Sequence, residues 1–441
     1  MSQGAGPTAE RRWQRIGAAF TGALAARAVG IGCGLLQVPL ALGYLGLRDY
    51  GAWVILQTTA GLAGLIDLGT GFAAQNALTA HLAQSRHAAA HGVFWATLRR
   101  QTLFAIVATG LWLLWWRVGG GAAALLPGAR ELEPAMLHVV NLLIAVQLAT
   151  APAGLALRVA LARQEGWWSG ALAAATSASI LLLVFLGALG TWSKPLLVAA
   201  LALTPVILQG GLLIRWLAAA WPARREPTAA LPRLRLSFAF FLPQAGMVAR
   251  QYAPALAITA VLGPAAVAPY ALIQRLLQWL TQPQSWLTEP LWPALTDAHA
   301  RGDAKWMAQA ERATQRVALG TAALLLSAPF WGRALLTLWT RQPPALFDHV
   351  LLGSMAAAAA ALALAVPFSV WLNAMGRPQG QALYGTAAAA MFCAGLPLAV
   401  RYGGVAGAPQ LELALTCTIL LPAVLLDTWH TRRKLAGATP S

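Results

Sequence analysis

Residues 16–44 read IGAAFTGALAARAVGIGCGLLQVPLALGY. The run exceeds the ~20 apolar residues a helix needs to cross a hydrocarbon core. Its single ionic residue, Arg27, falls near the middle, and Arg11, Arg12 and Arg15 precede it. It is too long for a cleaved signal peptide and lacks a cleavage site, so it reads as a retained first helix. A guanidinium does not give up its proton inside a protein. At bilayer depth it costs at least a few kcal/mol, and such residues face a cavity or a partner.

Eleven further apolar runs follow. The twelve spans are expected at about 16–44, 51–80, 101–118, 135–160, 169–191, 196–219, 237–262, 266–295, 314–340, 346–374, 380–400 and 407–430. They are too long for barrel strands and do not alternate, so helices are expected. The 441-residue chain is 58% hydrophobic and 10% charged, against roughly 25% charged in soluble domains. The expected fold is an all-α integral membrane protein of about twelve transmembrane helices in two six-helix lobes.

The formal charge of +17 raises the question of nucleic acid. The basic residues form no stripe beside aromatic stacking platforms, so no nucleic-acid partner is expected. They cluster between the apolar runs instead. With the N-terminus in the cytoplasm, the inside segments hold 21 Lys and Arg and the outside segments 7. Arg27, Arg250 and Arg275 complete the 31. That bias places both termini inside.

The largest polar break, Trp221 to Leu236, carries three prolines and four arginines. It divides the chain into an expected N-terminal lobe (1–220), a cytoplasmic linker (221–236) and a C-terminal lobe (237–441). The halves echo each other weakly. Leu45-Gly46 and Tyr50 link spans one and two, and Leu262-Gly263 and Tyr270 link spans seven and eight. Parallel repeats of this kind describe many secondary transporters.

Polar residues inside the spans mark candidate functional positions. Span eight carries Arg275, Gln278, Gln282, Ser285 and Glu289, spaced three, four, three and four apart. At about 100° per residue these share one stripe, as expected of a cavity wall or of a helix pairing with neighbours. In span one Arg27, Gly30, Gly34 and Gln37 share a face. In span two Asp67 opens Asp67-Leu68-Gly69-Thr70-Gly71, a stretch able to unwind; Asp67 holds an arginine in place or titrates during coupling. Arg250 lies in span seven between Pro243 and Pro254, and Glu412 is isolated in the first half of span twelve.

No catalytic set, phosphate-cradling loop or metal motif is present. His81, His87 and His91 do not have metal-site spacing, and Cys33, Cys393 and Cys417 fall inside apolar runs. No cofactor and no metal are expected.

The stretches Gln37-Val38-Pro39, Tyr44 to Trp53 (YLGLRDYGAW) and Leu65 to Gly71 (LIDLGTG) resemble the Wzx-type polysaccharide flippases. These belong to the multidrug/oligosaccharidyl-lipid/polysaccharide (MOP) exporter superfamily, which includes the MATE branch. The motif likeness covers the first two spans; beyond them it is one of architecture. It implies two six-helix lobes around a V-shaped cavity. It implies a cargo of undecaprenyl-diphosphate-linked oligosaccharide, moved from the cytoplasmic to the periplasmic leaflet of a bacterial inner membrane. Arg27 and Arg275 match places where cavity arginines lie in such flippases, and Arg250 matches less securely. Membrane lipids, and polymerase or ligase proteins of the same pathway, are the partners implied.

Two other readings stand beside this one. A MATE-like ion-coupled exporter of cationic drugs calls for acidic cavities, whereas Arg27, Arg250 and Arg275 outnumber Asp67 and Glu412. A membrane glycan polymerase or ligase calls for a large external loop, and the external connections are short. Alternating access gives a further expectation: a cross-link between the ends of spans two and eight, near Tyr50 and Ala266, traps the inward-facing state.

Overall fold

Long apolar runs in lipid have no water to bond their backbone groups, so each run closes its own hydrogen-bond ladder as a helix. In the computed structural model the regular elements among the described residues are all helical. Those residues are 26–436, apart from 27, 48, 52, 55–57, 59–66, 84–85, 126–132, 164, 166, 191, 221–233, 301–302 and 378. Arg27 and most of the expected linker therefore lie outside them.

The chain divides into two compact units. One comprises 1–49, 59–124 and 132–241; the other comprises 50–58, 125–131 and 242–441.

In the first unit α1 spans Ala28–Leu47, α2 Thr70–Ala83, α3 His87–Gly119 and α4 Ala122–Leu125. They are followed by α5 (Pro134–Thr150), α6 (Leu155–Ala162), α7 (Trp167–Leu189) and α8 (Lys194–Ala220). A 3-10 turn at Ala151–Gly154, which contains Pro152, joins α5 to α6. Ala74 and Leu78 of α2, Val93 and Phe94 of α3 and Leu155 of α6 form a core. Lys194 ties the α7–α8 connection to the end of α1, through the Leu45 carbonyl at 3.0 Å and Asp49 at 2.7 Å.

The second unit takes in most of α9 (Leu234–Leu262), then α10 (Val267–Ala300), α11 (Ala304–Thr340), α12 (His349–Ala374), α13 (Gln379–Leu415) and α14 (Leu421–Ala436). Leu272 and Ile273 of α10, Leu325 and Leu336 of α11 and Leu352 of α12 are fully buried. A Cβ on Gly332 would lie 3.3 Å from Leu352, the close approach that small residues permit between membrane helices.

α13 is two helices. Gly404 adopts φ 60° and ψ −150°, a conformation open to glycine and not to bulkier residues. A Cβ on Gly395 would lie 3.2 Å from Leu411. An unbroken helix would hold those positions about 24 Å apart, so the chain reverses at Gly404. A π-turn at Thr416–Leu420 then leads into α14.

Eight stretches among the described residues are long and apolar enough to cross a membrane. The 56-residue stretch Gln379–Lys434 has the length for two crossings and contains the reversal. α9 and α10 stand at the seventh and eighth expected places, and span two is described in parts, as 51, 53–54, 58 and 67–80. The chain is an all-helical, multi-pass membrane protein. Several helices outrun their expected bounds. α3 begins at His87 rather than near 101, and α11 at Ala304 rather than near 314. Hydropathy registers only the lipid-immersed part of a helix, and the polar turns continue beyond it.

Candidate functional site

α10 has two contrasting faces. Leu272, Ile273, Leu276 and Leu277 are buried, and so is Gln284, at 3% exposure. Gln284 donates from Nε2 to the Ala363 carbonyl of α12 at 2.7 Å. The normal helical donor to that carbonyl would be residue 367, which is a proline without an N–H. Gln284 thus fills a vacancy left by Pro367. Arg275 stands about 180° around the helix from Gln284. Arg275, Gln278, Gln282 and Ser285 are all intermediate in exposure; the side chain of Glu289 lies outside the described residues. Among the described residues no carboxylate pairs with Arg275. Its field reaches the buried Tyr50, whose ring meets Trp53 edge-on at 5.5 Å.

Arg250 is held differently. Its Nε and Nη2 donate to the same Glu412 oxygen, at 3.1 and 2.8 Å, and Nη2 also donates to Thr416 Oγ1 at 3.1 Å. The two side chains are only 16% and 14% exposed. Thr416 opens the π-turn, a device frequent at functional sites. The Glu412 carboxylate also acts on the buried Tyr270. Glu412, isolated in sequence, thus has a partner 162 residues away, and Arg250 is locally neutralised.

In the first unit the stretch at Asp67 is unwound. Leu68 and Gly69 have φ of 48° and 74°. Asp67 accepts the N–H of Gly69 at 2.8 Å and of Gly71 at 3.1 Å, capping α2. Arg158 of α6 lies within the field of Asp67, and its Nη1 is 3.5 Å from Gln75 Oε1. Gln101 of α3 donates to Thr70 Oγ1 at 3.0 Å. Asp67 therefore sits in a polar cluster of α2, α3 and α6. Gln37, expected on a cavity face, is enclosed at 2% exposure. Among the described residues no group of three or more His, Cys, Asp or Glu is placed to hold a metal.

No family model matches the chain, and no curated protein matches it. Solved structures do. An inward-facing multidrug resistance MATE family transporter of the MOP superfamily aligns with TM-score 0.67 and 13% identity, over 94% of this chain and 98% of that one. The lipid II flippase MurJ, in an inward closed conformation, aligns with TM-score 0.70 and 11% identity, over 92% and 87%. A MOP superfamily transporter from Pyrococcus furiosus aligns at 0.57 and 13%, over 96% and 95%. That protein is described as having a binding pocket of reverse polarity that suggests a different function. The fold is that of the MOP superfamily.

Within this MOP fold the expected residues separate by environment. Arg275, Gln278, Gln282 and Ser285 share a half-exposed stripe. Arg250 is paired with Glu412, and Asp67 is committed to backbone and to the field of Arg158. Arg158, Gln101 and Thr416 were not singled out by the sequence. Arg158 is one of the 21 cations counted to the inside segments, yet it falls in the last turns of the run at 135–160. That position is the signal available for it. Nothing in a sequence pairs Arg250 with Thr416.

Proposed function

We propose that this chain is a flippase that carries undecaprenyl-diphosphate-linked oligosaccharide from the cytoplasmic to the periplasmic leaflet by alternating access. It would act without cofactor or covalent chemistry, in a bacterial inner membrane with both termini cytoplasmic. One observation carries the reading: Arg275 projects from a polar stripe of a membrane helix with no described carboxylate to neutralise it. A fixed cation in that setting suits an anionic cargo. A diphosphate head carries a charge near −2, and hydrocarbon forbids its unassisted passage. Fixed guanidinium groups replace the lost hydration, and their planar fork matches phosphate oxygens. Arg27 is proposed as a second cation. Arg250 would bind cargo only when released from Glu412.

The second reading, an ion-coupled exporter of small cations, draws on the likeness to MATE transporters. It needs a free acidic group to receive its substrate. Asp67 and Glu412 are both engaged, which favours the anionic cargo; Asp427, near the end of span twelve, keeps one buried oxygen without a hydrogen-bond partner among the described residues.

The deciding experiment is a deletion strain assayed for surface polysaccharide and for accumulated lipid-linked precursor. The flippase reading expects loss of the first and build-up of the second, with rescue by the intact gene and not by Arg275→Ala. Normal glycan with altered drug tolerance would establish the exporter reading instead.

A further inference from the structure

α11 is 37 residues long, about 55 Å at 1.5 Å per residue, against a hydrocarbon core of about 30 Å. The surplus lies at its N-terminal end. Residues 317–340 carry Arg333 as their one charge, whereas 304–316 carry Lys305, Glu311, Arg312 and Arg316. The first turns therefore stand at headgroup level. Lys305, Arg312 and Arg316 are exposed, and spacings of seven and four put them on one side of the helix. The first turn has no acidic residue. Cations near a helix N-terminus oppose the macrodipole, and like charges four apart repel. Helix formation does not account for this stripe.

The end of α14 adds to it. Arg432 bonds Glu311 of α11 and lies 5.2 Å over the Trp371 ring. This brings the last turns of α14 beside the first turns of α11. Arg433 and Lys434 there are exposed. The Arg433 guanidinium sits 3.7 Å over Trp429, which is 45% exposed, and Trp306 of α11 is 36% exposed. Tryptophan at this depth is an interfacial anchor. The acids at these two helix ends are already engaged. Glu311 accepts from Arg432 and from Gln315 at 3.0 Å, and Asp303 accepts the Trp306 N–H at 3.1 Å.

We infer that this patch binds the headgroups of anionic phospholipids in the leaflet where it sits. It is cationic, level with the phosphates and bordered by indole rings, and juxtamembrane basic clusters of this kind recognise anionic lipid surfaces. The site is separate from the Arg275 stripe, so the cargo reading does not bear on it.

The test uses the full-length protein in uncharged detergent, with thermal unfolding followed on titration with phosphatidylglycerol or phosphatidylcholine of matched chains. Phosphatidylglycerol should raise the midpoint by several degrees, an effect removed by high salt, and phosphatidylcholine should not. The variant R312Q/R316Q/R433Q/K434Q should lose the shift, and R312K/R316K/R433K should keep at least half of it. Equal shifts from the two lipids, a full shift in the neutral variant, or the same shift from inorganic phosphate would overturn the inference. Should the neutral variant not fold, native mass spectrometry of the wild type decides. Preferential retention of phosphatidylglycerol supports the site, and equal retention of both lipids removes it.

Discussion

Gln284 gives Ala363 the hydrogen bond that Pro367 cannot. The 2.7 Å contact joins α10 to α12 at the point where the α12 ladder is missing a donor. The residue that sews α10 into its unit is therefore not one of the striped residues but one on the opposite face. This separates structure from function along a single helix.

The separation is testable with two substitutions. Gln284→Leu leaves a buried carbonyl unmet and should lower stability by about 1–3 kcal/mol, read as a fall in unfolding midpoint. Arg275→Ala should leave that midpoint near wild type. Its loss of charged hydrogen bonds, roughly 1.5–3 kcal/mol, should cut flipping by about tenfold to a hundredfold. Arg275→Lys should retain part of the activity, since charge stays while the fork is lost. Full surface glycan in Arg275→Ala at matched protein level would rule out an anion-binding role.

Gly51 packs against the backbone of Pro264, so closely that a Cβ there would collide with the Pro264 carbonyl oxygen. The start of span two and the connection before α10 thus meet within one unit. We predict that Tyr50→Cys with Ala266→Cys forms a disulfide under mild oxidation, stops export, and is reversed by reductant. Continued delivery of glycan by the cross-linked protein would show that this contact need not open during the cycle.

Breaking the Arg250–Glu412 pair from one side leaves a charge largely enclosed. Either Arg250→Met or Glu412→Gln alone should cost about 3–5 kcal/mol. The double variant should cost clearly less than the sum of the singles. Additive losses in thermal unfolding would mean that the two groups do not interact in solution.

The expected topology has its own check. A membrane-impermeant thiol reagent applied to whole cells should label a cysteine placed at Lys194 and miss one at Arg225. Lys194 is half exposed, at 48%. External labelling at Arg225 would invert the orientation drawn from the basic-residue bias.

Much of the fold was legible because a membrane reduces the choices. Runs such as 346–374 and 380–400 can only be helices where water is absent. Their spacing located the breaks, including the reversal now placed at Gly404. The unwinding at Asp67-Leu68-Gly69 was legible as well, since Asp and Gly are the residues that cap and leave a helix. The polar stripe of α10 followed from the period of the helix alone.

What the sequence by itself determined was thus everything local: element type, helix periodicity, and which spans carry charge. Pairing between distant positions was decided by the tertiary structure. Glu412 reads as isolated and is bound to Arg250; Arg158 reads as a loop cation and stands in the field of Asp67; Gln284 reads as one more polar residue and completes α12 at Ala363. The physical reason is common to all three. A period of 3.6 residues fixes which side of a helix a residue occupies, but only packing fixes which other helix lies opposite. A buried charge or carbonyl takes whichever partner packing brings within about 3 Å.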